Sequence, residues 1–319
     1  MESGALMVAT NSSGALGSRS RWRLTRRERR NLGMGILFIS PWLAGFFIFL
    51  VYPIIYTIRI SFTKYSGFGT PKWTGLANYH RMIHDPIFWT AVYNTLYYTA
   101  LAVPIGAVIA MILALAMNTK LPEVGIFRTI IYIPSIIPLF SLAFIYQVLM
   151  NPTKGIVNRF LIWFGLPNVN WFGDPRYSKM ALVILAQFGA GQVAIIFLAA
   201  LKGIPTTLYE AASLDGATSW RRFWNITIPL MTPVILYDII LGLSVGVQIF
   251  TQVYILGGNP AGGPANSTMV YVLYFYSNAF RYGNMGYASA LAWVLFMFTA
   301  VIAFVVFKTS KWWVNYDTI

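Results

Sequence analysis

Apolar residues run along this chain in long unbroken blocks, without the strict alternation of a half-buried strand. The longest stretches free of charge lie between Arg30 and Arg59, Asp85 and Lys120, Arg128 and Lys154, Lys179 and Lys202, Asp238 and Arg281, and Arg281 and Lys308. A membrane-crossing helix needs about 20 predominantly apolar residues. Trimming the polar and Gly/Pro-rich ends predicts spans near 33–58, 92–117, 127–150, 180–202, 230–256 and 286–308. A membrane β-barrel would show weak alternating segments of about ten residues instead. Helices also satisfy their own backbone groups in lipid, which an open sheet cannot. The predicted fold class is an all-α polytopic membrane protein with six transmembrane helices.

Composition agrees. The 319 residues are 57% apolar and only 10% charged, with a mean hydropathy of +0.63, whereas a soluble domain carries about 25% charged residues. With no Cys, a disulfide scaffold is excluded. The net charge of +14 raises the question of nucleic acid, and the distribution of charge answers it. Arg19, Arg21, Arg23, Arg26, Arg27, Arg29 and Arg30 precede the first span. With that end inside, Lys120, Arg128, Lys202, Arg221, Arg222, Lys308 and Lys311 join them, against Arg59, Lys64, Lys72, Arg81, Lys154, Arg159, Arg176, Lys179 and Arg281 outside. The bias places both termini on the cytoplasmic side of the membrane. The tail reads as a topology signal and anionic-lipid anchor, with no nucleic-acid role. The apolar run at 32–58 is too long for a signal peptide and no A-x-A site follows. The expected organisation is a basic tail at 1–31, a membrane domain at 32–308 and a cytoplasmic tail at 309–319.

The predicted inner loops are short except 203–229. Within it, Thr207-x-x-Glu210 has the spacing of a capping box, and Gly216 suits the left-handed residue after a helix end. Thr218 or Ser219 would start a second short helix at 220–227, with Pro229 leading into the fifth span. Ala211 and Ala212 keep one face small, so that another protein can approach the backbone. From the residues alone, the loop is either an interfacial amphipathic linker or a docking element.

Glu210-Ala211-Ala212, then Gly216 six residues after the Glu, then Ile226 and Pro229, resemble the EAA loop of ABC-importer permeases; Ile228 replaces the Leu usual before that Pro. GLANY (75–79), DP (85–86), FW (88–89), NTL (94–96), GGPANST (262–268) and AFRYGNMGYASALA (279–292) are similar to the carbohydrate permeases of the maltose, trehalose and glycerol-3-phosphate type, first permease subunit. The resemblance covers about 30–319. It implies the type I importer permease (MetI-like) fold and a second homologous permease subunit. It also implies a pair of ATP-binding subunits, which bind the ATP and Mg, and an extracytoplasmic solute-binding protein. The coupling residues it implies are Glu210, Ala211, Ala212, Asp215 and Gly216. The chain is expected to hold no cofactor and no metal and to be no enzyme, since no G-x-x-x-x-G-K-[ST] loop occurs.

Polar residues inside spans are costly and therefore candidates for a solute path. These are Gln187, Gly189 and Gln192 in the fourth span and Ser244, Gln248 and Gln252 in the fifth. The last three are spaced i, i+4, i+8 and predict one helix face. Neutral amides and hydroxyls both suit sugar hydroxyls and interhelical bonds. The resemblance to the maltose permease places Gly189, Gln192 and Ser244 near sugar-contacting positions. Gly242-x-x-x-Gly246 predicts close helix packing. Asp238 suits either the path or a partner subunit. His80 and His84 have helical metal-ligand spacing, but only Asp85 stands near as a third ligand, so they read as an outer amphipathic segment. Trp163, Trp171 and Phe172 are candidates for contact with a docking protein.

The function expected is alternating-access import of a carbohydrate. The outer surplus of Lys and Arg keeps an acidic sugar among the candidates. An ion-coupled secondary transporter is the alternative; it predicts intramembrane carboxylates, an inverted repeat and broken helices.

Overall fold

The computed structural model describes residues 25–119, 122–257 and 262–315. Arg19, Arg21, Arg23 and Lys120 lie outside them. The chain divides into one unit ending at Tyr56 and another beginning at Thr57.

In the first unit, α1 (Arg26–Phe46) passes through a π-turn at Phe47–Val51 into α2 (Tyr52–Ser61). The helix begins at Arg26, so the end of the predicted tail is already helical. The π-turn sits just before Pro53, where the Tyr52 N–H donates to the Phe47 carbonyl. The widened turn absorbs the ring and the missing donor of a proline without ending the helix.

The second unit continues α2 into the short strands β1 (Thr63–Lys64) and β2 (Lys72–Trp73), then α3 (Ala77–Ile83) and the long α4 (Pro86–Met117). Asp85 caps α4, its Oδ1 accepting from the Ile87 N–H at 2.9 Å, with Pro86 opening the first turn. Asp174-Pro175 starts α8 (Pro175–Ala186) in the same way. Between them lie α5 (Val124–Ile136), α6 (Leu139–Leu149) and α7 (Ile156–Trp163). After α8 come α9 (Ala190–Gly203), α10 (Thr206–Leu214), α11 (Ser219–Arg222), α12 (Ile228–Val247), α13 (Thr251–Leu256), α14 (Tyr271–Tyr276) and α15 (Met285–Ser310). Among the described residues, five helical stretches are long and apolar enough to cross a membrane, or six when α5 and α6 count as one.

The third span departs from the single helix expected at 127–150. It bends by 99° between α5 and α6, at Ile137-Pro138. Pro138 lacks an N–H and holds Ile137 extended, at φ −69° and ψ 126°. The fifth span also differs. The short helix expected at 220–227 does not stop before Pro229; it runs through a π-turn, Phe223–Thr227, into α12.

At the centre, α4 packs against α8, α9, α12 and α14. A Cβ on Gly242 would lie 2.9 Å from Val103 Cγ1, and one on Gly246 would lie 2.9 Å from Thr99 Cγ2. The expected glycine pair therefore lets α12 seat on the Thr99–Val103 face of α4.

At the end of the bundle opposite 204–229, the separate family-like segments close into one cap. Asn94 on α4 donates to the carbonyls of Asn266 (2.9 Å) and Met269 (3.0 Å). Thr95 Oγ1 accepts from the Tyr271 N–H, and Ser178 meets Ser267 at 2.7 Å. The Gly262-Gly263 pair has positive φ, and a Cβ on Gly263 would fall 2.3 Å from Thr268 Oγ1. Asn78 donates to Ser61 and Thr63 carbonyls, and Gly286 admits the Thr63 carbonyl where a Cβ would clash at 2.0 Å. Asn94→Ala is expected to strip the buried Met269 carbonyl of its donor, at about 1–3 kcal/mol, while the Asn266 carbonyl keeps the Met269 N–H at 3.1 Å. Thermal unfolding in detergent should fall clearly, and Asn94→Asp should not restore it because a carboxylate has no donor.

At the other end, the tail after α15 folds back. The Asn315 N–H donates to Thr232 Oγ1 at 3.0 Å, and Val314 is buried. Residues 316–319 lie outside the described residues.

Candidate coupling loop and translocation path

Segment 204–229 forms a rigid hairpin of helices. Ile204 is buried and Pro205 precedes the first turn of α10. The expected capping box is absent: Pro205 fixes the chain so that the helix starts at Thr206, two residues early, which puts Thr207 inside it. No side chain caps the helix, and Glu210 has no side-chain partner among the described residues. The other end matches expectation. Gly216 has φ +73°, its N–H donates to Ser213 (3.1 Å), and the Ala217 N–H donates to Ala212 (2.9 Å). These two bonds make a Schellman turn. Thr218 then caps α11, accepting from the Arg221 N–H.

Cross-bonds fix the two helices together. Tyr209 Oη lies 2.9 Å from Thr227 Oγ1, and Arg222 donates to Ser213 Oγ (2.8 Å) and Ser219 Oγ (3.2 Å). Tyr209 and Ala212 are half-buried, whereas Thr207, Glu210, Ala211 and Leu214 are exposed and share one helix face. Ala212 thus turns toward its own chain, and only Ala211 keeps the outward face small. Beside it Leu214 is 91% exposed, a large apolar side chain that the sequence reading did not single out. Asp215 and Gly216 are exposed at the tip of the turn. The hairpin presents a small carboxylate-bearing surface on a stiff mount.

The path candidates separate. A 3-10 turn at Gln187–Gly189 interrupts the fourth span. Gln187 points into the bundle, donating to the carbonyls of Val183 (2.7 Å) and, at the limit, Ala102 (3.4 Å), with its Oε1 close to Gly106. Phe188, Gly189 and Gln192 are exposed. Ser244 donates to the Ile240 carbonyl at 2.8 Å and faces Thr299, Ile302 and Ala303 of α15. The predicted common face of Ser244, Gln248 and Gln252 does not form. Helix α12 ends at Gln248, and Phe250 leaves helical geometry at φ −143° before α13 begins. Gln248 is exposed, its amide donating to the Ser244 carbonyl at 2.9 Å; Gln252 is half-buried. Asp238 is half-buried on α12.

Three consecutive spans therefore leave regular α-helical geometry, through a sharp bend at 137–138, a tightened 3-10 turn at 187–189 and a break at 248–250. The breaks share one core. Ile137 and Phe250 pack against the cluster that contains Leu142, Tyr146 and Val253, and Phe188 meets the Tyr146 ring at 5.0 Å. Gly191, between the candidates, allows the closest approach: a Cβ there would lie 2.1 Å from the Ile131 carbonyl oxygen of α5. Phe188 and Gly191 are further residues of the site. A Gly-x-Gly run beside an intramembrane aromatic was the only signal for them.

Arg81, Arg176 and Lys179, among the nine predicted outer cations, meet partners. Arg176 pairs with Asp174 at 2.8 Å, and that hydrogen bond lowers the Asp174 pKa. Arg81 lies over the Tyr287 ring at 4.3 Å, and Lys179 over Tyr93 at 4.7 Å. Asp85 Oδ2 accepts from the hydroxyls of Tyr274 and Tyr287. Burial, then the Asp85 carboxylate, pushes the Tyr274 phenol up to about 12, so it remains a donor. His84 Nδ1 sits 2.8 Å from the His80 carbonyl. Trp171 is half-buried, its indole donating to Asn158 Oδ1, and Phe172 is half-buried; Trp163 is exposed.

Interrupted membrane helices above a stiff protruding hairpin define a polytopic transport subunit. Residues 102–311 match the family described as the binding-protein-dependent transport system inner membrane component. The probable ABC transporter permease protein YesP of Bacillus subtilis is 35% identical over 297 residues, covering 92% of this chain and 96% of that one. The lactose transport system permease protein LacF of Rhizobium radiobacter is 35% identical over 283 residues, covering 87% and 94%. A chain of a bacterial ABC transporter involved in the import of the acidic polysaccharide alginate superposes with a TM-score of 0.76 at 24% identity, over 90% and 99% of the two chains. The chain belongs to this family, the inner-membrane permeases of ABC importers, and its fold is theirs. Broken helices alone would also fit the ion-coupled alternative; the family match decides against it.

Proposed function

We propose that the chain lines one side of the solute path of an ATP-driven carbohydrate importer. It would work by alternating access with a second permease subunit. The observation that carries this reading is the outward Glu210–Leu214 face on a cross-bonded hairpin joined without a break to α12. A push or pull on that face by an ATP-binding subunit, which would hold the ATP and Mg, reaches the interruption at Gln248 along one rigid helix. The hairpin then lies in the cytoplasm and the Asn94 cap faces the extracytoplasmic solute-binding protein. The lactose relative supports a sugar as cargo. Phe188, Gly189, Gln192 and Gln248 offer the chemistry: one apolar ring with amides that donate and accept.

Arg176 is neutralised by Asp174, but Arg81 and Lys179 keep their charge over Tyr rings and Lys154 and Arg159 are exposed, so the outer face stays positive and an acidic sugar stands beside a neutral one as cargo. Gln192→Ala with Gln248→Ala is expected to raise the uptake KM by tenfold or more, while Ser244→Ala, facing α15, leaves it within about twofold. Uptake of radiolabelled sugar at varied concentration reads this, and a double variant with unchanged KM discards the assignment.

A further inference from the structure

Helix α7 carries an apolar face that neither the fold nor the path uses. Its Val157, Asn158 and Leu161 turn inward, and Asn158 is buried with its amide donating to the Val169 carbonyl at 2.8 Å. Ile156, Arg159, Phe160 and Trp163 share the opposite face and are exposed, Trp163 at 77%. Phe164 joins them; its ring is 4.8 Å from that of Phe160 and 5.2 Å from that of Trp163. A Schellman turn stiffens the end: Gly165 has φ +73°, the Leu166 N–H donates to Leu161 and the Gly165 N–H to Ile162, both at 2.9 Å. The face is a fixed aromatic wedge.

We infer that α7 is an interfacial anchor, its aromatic face sunk among the glycerol groups of the leaflet opposite the EAA hairpin and its Arg159, with Lys154, on phospholipid phosphates. Height supports a bilayer over a protein partner. Asn158 is bonded to Trp171, whose ring meets Tyr177 in the first turn of α8. In that same turn region Lys179 lies over Tyr93 and Tyr97, the lysine–aromatic pairing of a membrane boundary. So α7 is tied to the level where lipid meets water. Charge supports it too. Lys154 and Arg159 are exposed and form no ion pair among the described residues, so both are available to an anionic surface. Trp and Phe on the exposed face of a short helix, beside Arg159 and close to Lys154, fit an in-plane membrane helix. The inference needs only a membrane-embedded permease and stands whichever solute passes.

The chain has no Cys, so introduced thiols report single positions. Phe160→Cys, Trp163→Cys and, in the exposed loop beyond, Asn168→Cys would be spin-labelled in the whole transporter, with any partner cysteines replaced. The labelled assemblies would be placed in phosphatidylcholine–phosphatidylglycerol vesicles. Dissolved oxygen should relax the labels at 160 and 163 more than a water-soluble nickel chelate does, with the order reversed at 168. Equal nickel access at 163 and 168 overturns the anchor. So does protection at 163 that arises only when solute-binding protein is added, which would make α7 a protein-docking face. Lys154→Glu with Arg159→Glu should reduce the depth signal at 163 to its value in phosphatidylcholine alone; no response to the charge reversal overturns the phosphate contact.

Discussion

Gly216→Pro is expected to abolish uptake while leaving the membrane bundle intact. At φ +73° the position lies far from the φ near −65° that a proline ring imposes. The substitution also removes the N–H that donates to Ser213. Forcing a proline into such a site costs about 3 kcal/mol or more. The Schellman turn must open, and with it the angle between α10 and α11. Damage stays local because Gly216 is exposed and a Cβ there meets nothing within 4 Å. The bundle should therefore insert and purify normally, while the ATP-binding subunit no longer co-purifies after mild detergent extraction and sugar uptake falls at least tenfold. Gly216→Asn is the graded control. Asn enters the left-handed region more readily than other side chains, so it should keep most of the activity. If the proline variant retains both its ATPase partner and uptake, the hairpin is no coupling element.

The spans were legible because charge is expelled from lipid and its absence measures length directly. The bend inside the third span was not. The interval from Arg128 to Lys154 is free of charge, and the mark of the bend within it is Pro134 and Pro138, of which the helix tolerates the first and breaks at the second. The break at Phe250 carries neither Gly nor Pro, so it is set by packing around Val253 and Leu256 rather than by local chemistry. In the hairpin, Gly216 was readable because left-handed geometry is a local demand. The capping box failed because Pro205, two residues earlier, launches the helix first. Path residues were the least legible. Gln187 and Gln192 are alike in sequence, yet their five-residue spacing turns them to different faces, so that one braces α4 and the other stands exposed. The cation–ring contacts of the outer face were not legible either, because Tyr287, Tyr93 and Tyr97, which meet Arg81 and Lys179, are distant from them along the chain.

The glycines at 189 and 191 should give opposite results under the same substitution. Gly191 is buried, and the carbonyl oxygen of Ile131 occupies the space its Cβ would take, at 2.1 Å. A backbone oxygen inside a helix cannot rotate away, so α5 would have to move off α9 as a whole. Ordinary overpacking costs about 1–3 kcal/mol, and a clash of this depth against a rigid atom belongs at or above the upper end. Moving α5 also shifts the bend at Ile137–Pro138 that it carries. Gly191→Ala is therefore expected to lower the melting temperature sharply and to cut the yield of assembled transporter. Gly189 is exposed, and a Cβ on it meets nothing within 4 Å. Gly189→Ala should melt with the parent protein and yet alter uptake, because the added methyl stands between Phe188 and Gln192 on the exposed side. Melting and uptake measured on the pair separate a packing residue from a path residue. Two variants that lose stability equally would mean that 189, too, serves packing alone; two that melt like the parent would mean that α5 and α9 are not held together through Gly191.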